Sequence, residues 1–307
     1  MENNIKTCWI DRENEDDRID SFLAEMEEGL SRSYVQRLIR DCLVKVNGNA
    51  VKANYRLREG DLLTYEIPEP VSLEITAENI PLDILYEDED IIVINKPKGM
   101  VVHPAAGHYT GTLVNALLYH CKDRLSGING VMRPGIVHRI DRNTTGVLVV
   151  CKNDKSHQSI AEQLKVHSIT RRYEAIAYNP FKQMEGSIDA PIGRHPIERK
   201  KLAINPKNGK NAVTDYHVLE NFSQSAHIEC TLKTGRTHQI RVHMASIRHP
   251  LLGDDVYGPE KDKFHLEGQT LHARVLGFLH PTTKEYMEFE APLPEYFVQL
   301  IEKLRCN

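Results

Sequence analysis

The chain has 307 residues, of which 40% are hydrophobic and 27% charged, with a net charge of −4; that is room for one catalytic domain and a smaller module. No apolar run approaches the roughly eighteen residues that a membrane helix needs, and the net charge argues against a protein that coats nucleic acid indiscriminately. The opening MENNIKTCWIDRENEDDR lacks a charged-then-apolar signal pattern, and the six cysteines (Cys8, Cys42, Cys121, Cys151, Cys230, Cys306) form no CxxC pair, so a reduced, cytoplasmic setting is expected rather than a disulfide frame or a zinc knuckle.

Charge is unevenly distributed from the start. Residues 11–28 carry nine acids against Arg12 and Arg18, whereas residues 31–58 carry seven bases against Asp41. A local positive face acts on a polyanion over roughly 10 Å, whatever the total charge. RIDSFLAEMEE places Ile19, Phe22, Leu23 and Met26 at helical spacing, and SRSYVQRLIRDCL repeats the period with Tyr34, Val35, Leu38 and Ile39. Gly29 is expected to turn the chain between them, with Ser31 or Ser33 as the cap. Asn47-Gly48 between alternating apolar residues predicts a hairpin, and Leu62 to Ile67 a further strand. Arg32, Arg37 and Arg40 fall off the apolar stripe of the second helix, and with Lys45 they are candidate phosphate contacts. Over about residues 17–65 this pattern resembles the small RNA-binding module shared with a ribosomal small-subunit protein, a resemblance that implies a grip on folded RNA. The module is assigned to residues 1–67.

PEPVSLEITAENIP, residues 68–81, is polar and proline-containing, and the linker is placed at 68–80. Beyond it ILYEDEDIIVINKP, GIVHRI, GVLVVCK, RRYEAIAY, DYHVLENF, AHIECTL and YMEFEAP are expected strands. GTLVNALLYHC, DKSHQSIAEQLKVHSI and THQIRVHMASIRHP are expected helices. Strands with interspersed helices predict an α+β domain over 81–307, built on a mixed, mainly antiparallel sheet. Residues 1–80 hold 17 acids and 10 bases, whereas the remainder holds 26 acids and 29 bases and is mildly basic. Within the larger domain GRHPIERKKLAINPKNGK, residues 193–210, has six bases against Glu198. It is read as a loop or hairpin that brings Arg194, Arg199 and Lys200 to a phosphate backbone.

The chemistry concentrates at IVHRIDRNTTGVLVV, residues 136–150. Read as a strand, 136–141 puts Val137, Arg139 and Asp141 on one face, directly before a turn that Thr144, Thr145 and Gly146 suit. An aspartate in that place alone is a turn cap. Its company changes the reading. HRIDRNTTG is similar to the signature of the RluA/RluD family of pseudouridine synthases, His-Arg-Leu-Asp, two variable residues, Thr-Ser-Gly, with Ile140 and Thr145 as mild replacements. INKPKGMVVHP, RRYEAIAY, LKTGRTHQIRVHMASIRHPLLGDDVYG and LHARVLGFLHP agree with further patterns of that family in the same order.

The resemblance implies an RNA uridine isomerase whose catalytic aspartate is Asp141. The carboxylate would act at the anomeric carbon as nucleophile, or as base toward the neighbouring ribose proton. A carboxylate covered by a nucleoside needs a nearby cation to hold its charge, and the family's position for it falls on Arg241, with Arg236 close by; Arg236 and His238, like Arg139 and His138, are candidate RNA contacts. In the helix reading Thr237 caps, Ile240, Met244 and Ile247 form the buried stripe, and Arg241 lies off it. Tyr173 matches the active-site tyrosine and is expected to stack on the extruded base. Arg139, beside His138, is placed to fill the gap left by the flipped uridine, which points to loops or junctions of structured RNA as substrate.

Fifteen histidines invite a metal reading, but His238 and His243 are five apart rather than four and no cysteine pair joins them. No metal and no cofactor is expected, since the isomerisation is redox-neutral. Ribosomal RNA, most of all that of the large subunit, is the expected partner, with a monomer favoured. Two other functions compete: a non-enzymatic RNA-binding or ribosome-assembly protein, and a hydrolytic N-glycosidase using the same carboxylate.

Overall fold

The computed structural model describes residues 5–27, 30, 32–67, 75–104, 108–122, 124–128, 133–198, 201–260 and 264–306. The chain divides into two compact units, Met1–Ser72 and Leu73–Asn307. Each has its own buried core.

The first unit consists of β1 (Ile5–Trp9), α1 (Ile19–Met26), α2 (Arg32–Arg40), β2 (Val44–Val46), β3 (Asn49–Ala50) and β4 (Leu62–Glu66). The strands pair antiparallel in the order β1-β4-β2-β3. Asn47 and Gly48 both adopt positive φ, 51° and 77°, as a two-residue hairpin with the native strand twist requires. Ile19, Leu23, Val35, Leu38 and Leu63 meet in the core, as the helical spacing predicts. Asp20 is fully buried at the head of α1, where it accepts from Arg18, Arg32 and Gln36. Gly29 and Ser31 lie outside the described residues, and Ser33 falls within α2 rather than before it. β1 carries no alternation in its sequence because, as an edge strand, it leaves nearly all its side chains exposed, Trp9 among them.

The second unit runs β5 (Ile84–Glu87), β6 (Ile91–Lys96), α3 (Leu113–Cys121), β7 (Thr145–Cys151), α4 (Asp154–Lys165), β8 (Thr170–Tyr178), β9 (Glu185–Asp189), β10 (Ile192–Arg194), β11 (Leu202–Ile204), β12 (Val213–Asn221), β13 (Ser225–Leu232), α5 (Gln239–Ser246), β14 (Leu271–Leu279), β15 (Tyr286–Glu290) and α6 (Glu295–Arg305). The large sheet has the order β5-β6-β7-β14-β8-β13-β12-β9, with β15 added to β14. Its pairs are antiparallel except β7 with β14. The α+β class and the mixed, mainly antiparallel sheet are therefore as expected. Every residue of β7 is buried: Leu148 and Val150 enter the core on one face, Val147, Val149 and Cys151 that on the other. That explains its unbroken apolar run. Residues 68–74 of the linker region lie outside the described residues, whereas Thr76 and Glu78 are tied to Asn115 at the start of α3. No described helix is long and apolar enough to cross a membrane.

The strand expected at 136–141 does not form. Those residues run irregularly along the edge of β7 that β14 leaves open, joined by an Ile136–Val150 bridge and by the Val149 amide, which donates to His138 Nε2 at 3.1 Å. The chain then enters β7 where β14 crosses closest. Gly146 lies opposite Ala273 with φ of 108°, and a Cβ there would stand 2.1 Å from the Ala273 carbonyl oxygen. Gly146→Ala is expected to lose at least about 2 kcal/mol of stability, seen as a lower urea midpoint at unchanged slope by circular dichroism.

Candidate active site

Asp141 sits at the end of this irregular segment, where β7, β14 and β8 converge on α5. Its loop is fixed from several sides. The Thr144 amide donates to the Asp141 carbonyl at 3.0 Å, and the Thr144 hydroxyl accepts from Gln269 at 3.0 Å. Gly99 and Arg142 exchange hydrogen bonds, amide to carbonyl at 3.0 Å and Nε to carbonyl at 3.1 Å. Beneath them the fully buried Lys96 donates from Nζ to the carbonyls of Pro97, Met100 and Arg142 at 2.7, 3.0 and 3.1 Å. Burial pushes the Lys96 ammonium down to about 7, against the pull of the Asp141 charge. The INKP stretch thus anchors the aspartate loop through a side chain that carries no periodic signal.

Arg241 is the cation beside Asp141, as the motif predicts: its Nη1 donates to Asp141 Oδ2 at 3.0 Å. Its place on α5 differs from the helical reading. Arg241 is 4% exposed, as are Ile240 and Val242, because α5 is enclosed on nearly every side. Nor does Thr237 cap the helix; the cap position is His238, in the left-handed region at φ 55° with no side-chain cap bond. Burial of Arg241 demands a counter-charge, and Asp254 supplies it. Arg241 Nε and Nη2 donate to the two Asp254 oxygens at 2.7 and 2.8 Å, a bidentate pair. Asp254 also accepts from the Val256 and Tyr257 amides at 2.9 and 3.0 Å. Burial works against the Asp254 charge, but Arg241 and the two amides outweigh it and hold the carboxyl below its ordinary range. Burial likewise opposes the guanidinium charge, and Asp254 and Asp141 together raise it.

With Oδ2 engaged, Asp141 Oδ1 accepts no hydrogen bond among the described residues, and Asp141 lines a cleft with Arg139, Tyr173, Arg236, His238 and Arg241. His238 Nε2 is 3.7 Å from Asp141 Oδ2, and its Nδ1 pairs with the Tyr257 hydroxyl at 2.9 Å. Burial lowers the imidazole's pKa despite the aspartate, so the ring is neutral at pH 7. Tyr173, on β8, is 9% exposed, and burial raises its hydroxyl's pKa; it enters the cleft as a protonated phenol. Arg139 is exposed at the mouth.

The remaining candidates sort differently. His138 is held near 4 by burial and by Arg171, and its Nε2 is occupied as an acceptor, so it stitches its segment to β7. Arg236 lines the cleft, with Nε bonded to the Asn211 carbonyl at 2.9 Å. Arg194 ends β10, while Arg199 and Lys200 lie outside the described residues. In the first unit Arg37 is exposed with its guanidinium 4.7 Å from the Tyr34 ring centroid, and Arg40 and Lys45 are exposed. Arg32 is engaged: its Nε and Nη2 donate to buried Asp20 at 3.1 Å each. His243, weighed as a metal ligand, is bonded to the Thr214 hydroxyl and the Ala190 carbonyl. Glu87, His120 and Cys121 bring their ligand atoms within 4.8 Å, but Lys152 Nζ is 3.0 Å from Glu87 and burial pushes the Cys121 thiol up to about 11. A cation is already there, and the thiol is protonated.

Lys96, Asp254 and Tyr257 were not anticipated. Asp254 stands in the quoted stretch LLGDDVYG, where the doubled aspartate is the one available signal.

Residues 90–246 match the family model "RNA pseudouridylate synthase" and residues 17–63 the S4 domain. The uncharacterized RNA pseudouridine synthase YlyB of Bacillus subtilis is 56% identical over 295 residues, 96% of each chain. Ribosomal large subunit pseudouridine synthase D of Zymomonas mobilis is 46% identical over 94% of each chain. Among solved structures, Human RNA Pseudouridylate Synthase Domain Containing 4 has a TM-score of 0.58 at 27% identity, over 73% of this chain and 93% of that one.

Asp254→Asn tests the network. A carboxyl whose pKa is depressed on folding stabilises fully above its ordinary value of 3.8, and that contribution vanishes as pH falls through the depressed value. The variant is expected to lose about 3 kcal/mol at neutral pH and to show a shallower fall in stability below pH 4, as measured by urea unfolding at a series of pH values.

Proposed function

This chain belongs to the RNA pseudouridylate synthase family, in the RluA/RluD group with an S4 domain, and on that premise we propose that it isomerises specific uridines of structured RNA at Asp141. The observation that carries the assignment is the division of Arg241: one edge is bound to Asp254, and the remaining nitrogen holds one oxygen of Asp141, a cleft-lining residue whose other oxygen accepts no hydrogen bond among the described residues.

In the reaction the N1–C1′ bond of the uridine breaks and a C5–C1′ bond forms, with the C5 proton lost and N1 protonated. Atoms balance without oxidant or nucleotide. Positive charge develops on the sugar as the base departs, and the open oxygen of Asp141 meets it, as nucleophile at C1′ or as base toward the adjacent ribose proton. Tyr173 offers a ring to the extruded base and a phenolic proton beside it. Arg139, at the mouth, occupies the vacated stack. Flipping costs a few kcal/mol and least in loops, so the substrate is a loop or junction, held in part by Arg37, Arg40 and Lys45 of the S4 domain. The names of the relatives favour large-subunit ribosomal RNA; we further take the enzyme to be a cytoplasmic monomer.

Asp141→Asn is expected to abolish pseudouridine formation in a large-subunit ribosomal RNA transcript while RNA binding stays in the wild-type range. Chemical mapping of modified uridines and a filter-binding titration read the two quantities. Conversion by the variant would overturn the assignment. Wild-type protein that binds without converting would mark an assembly protein instead, and free uracil in the supernatant an N-glycosidase.

A further inference from the structure

β8 alternates strictly at its start: Arg171, Tyr173 and Ala175 point inward, while Thr170, Arg172 and Glu174 are partly exposed. An arginine therefore stands at a core-facing position. Arg171 is 7% exposed, and neither its Nε nor its Nη2 has a hydrogen-bond partner. No carboxylate pairs with it among the described residues; the outward-facing Arg172 has Glu229 and Glu288. A buried guanidinium without a counter-charge is destabilising and persists where function retains it.

The surroundings identify what would satisfy it. Arg171 lines a groove continuous with the Asp141 cleft, sharing Arg139, Tyr173, Arg236 and His238 with it and running out to Lys165 at the end of α4 and to His167 beyond it. Four of its lining residues are Lys or Arg, and Asp141 is the single carboxylate. At the rim, Gly235 has no left-handed φ to explain a glycine, yet a Cβ there would stand 2.5 Å from Arg171 Nη1. The guanidinium occupies the space that a side chain on Gly235 would fill, so the glycine is what lets Arg171 reach the groove wall there. Arg171 is two residues from Tyr173 on the same strand face, about 7 Å along the strand. The occupant must then be an anion attached to whatever enters the cleft.

We propose that Arg171 is a clamp for a backbone phosphate of the RNA strand whose nucleotide occupies the Asp141 cleft. The inference rests on the reading of this chain as an RNA uridine isomerase and adds to it a positioning contact at the floor of the adjoining groove. A planar guanidinium with poor hydration and unused donors suits a phosphate oxygen pair. Charge-assisted hydrogen bonds of this kind are strong because both partners are ionised, and here neither Nε nor Nη2 has a protein partner among the described residues to give up.

The test compares wild type, Arg171→Met and Arg171→Lys with a large-subunit ribosomal RNA transcript, measuring dissociation constants across salt, pseudouridine yield and thermal unfolding. Arg171→Met is expected to weaken binding about ten- to a hundredfold and to reduce the salt slope by about 0.7, one single-strand phosphate contact. Its melting temperature should equal or exceed that of wild type, since an unpaired charge has been removed. Arg171→Lys should restore the salt slope in part. A lower melting temperature with an unchanged salt slope in both variants would make Arg171 a structural residue and overturn the clamp. Wild-type binding without conversion would defeat the isomerase reading instead, and the salt slopes would still decide the clamp.

Discussion

A guanidinium presents more donors than one carboxylate can use, and the site depends on how Arg241 distributes them. Asp254 takes the Nε–Nη2 edge in a bidentate grip and is itself gripped by two backbone amides, so the plane of the guanidinium is fixed before Asp141 is considered. The third nitrogen then points in one direction, and Asp141 lies along it. Removing Asp254 would leave a buried cation to choose between carboxylates. With it in place, Asp141 has a partner that cannot wander, and one of its oxygens is held while the other accepts no hydrogen bond among the described residues.

The sheet supplies rigidity to this arrangement. β14 lies between β7 and β8, and its first residues bring Leu271 to the cleft wall while Tyr173 enters from β8. The close parallel approach of β7 and β14 is possible because Gly146 has no side chain. Below the aspartate loop, the Lys96 ammonium binds three carbonyls that converge from two segments of chain. It does there what a small structural cation does elsewhere, gathering backbone oxygens that would otherwise be buried without donors. The result is a carboxylate on a loop that is tied into the core from several sides.

Much of this is legible in the sequence, for reasons that differ by element. β8, β12 and β13 show in β-branched and aromatic residues interleaved with polar ones, and Asn47-Gly48 announces its hairpin through the φ values it must adopt. α6 has Phe297, Leu300, Ile301 and Leu304 on one buried face, a signal in plain sight that a motif-led reading passes over. Residues 136–140 look like a strand because Ile136, Val137 and Ile140 are β-branched, yet among the described residues a single bridge and a histidine nitrogen join them to β7. Asp141, Arg241 and Tyr173 were accessible through motif order. Asp254, Lys96 and Tyr257 were not, because their roles arise from where the chain returns in space. Arg241 shows the limit of helical periodicity: off the apolar stripe implied exposure, whereas α5 is covered all round and the arginine is buried with its counter-ions.

The hydrogen bond between Asp141 and Arg241 spans 100 positions of the chain, and β14, which closes the sheet over both, follows later still. At a synthesis rate of roughly 5–20 residues per second, the aspartate leaves the ribosome about 5–20 s before its arginine. Throughout that interval the nascent polypeptide has neither the cation nor the wall that define the cleft, while the whole N-terminal S4 domain, completed first, has already emerged. An enzyme whose family acts on RNA is thereby born with its RNA-binding domain finished and its chemistry still unassembled.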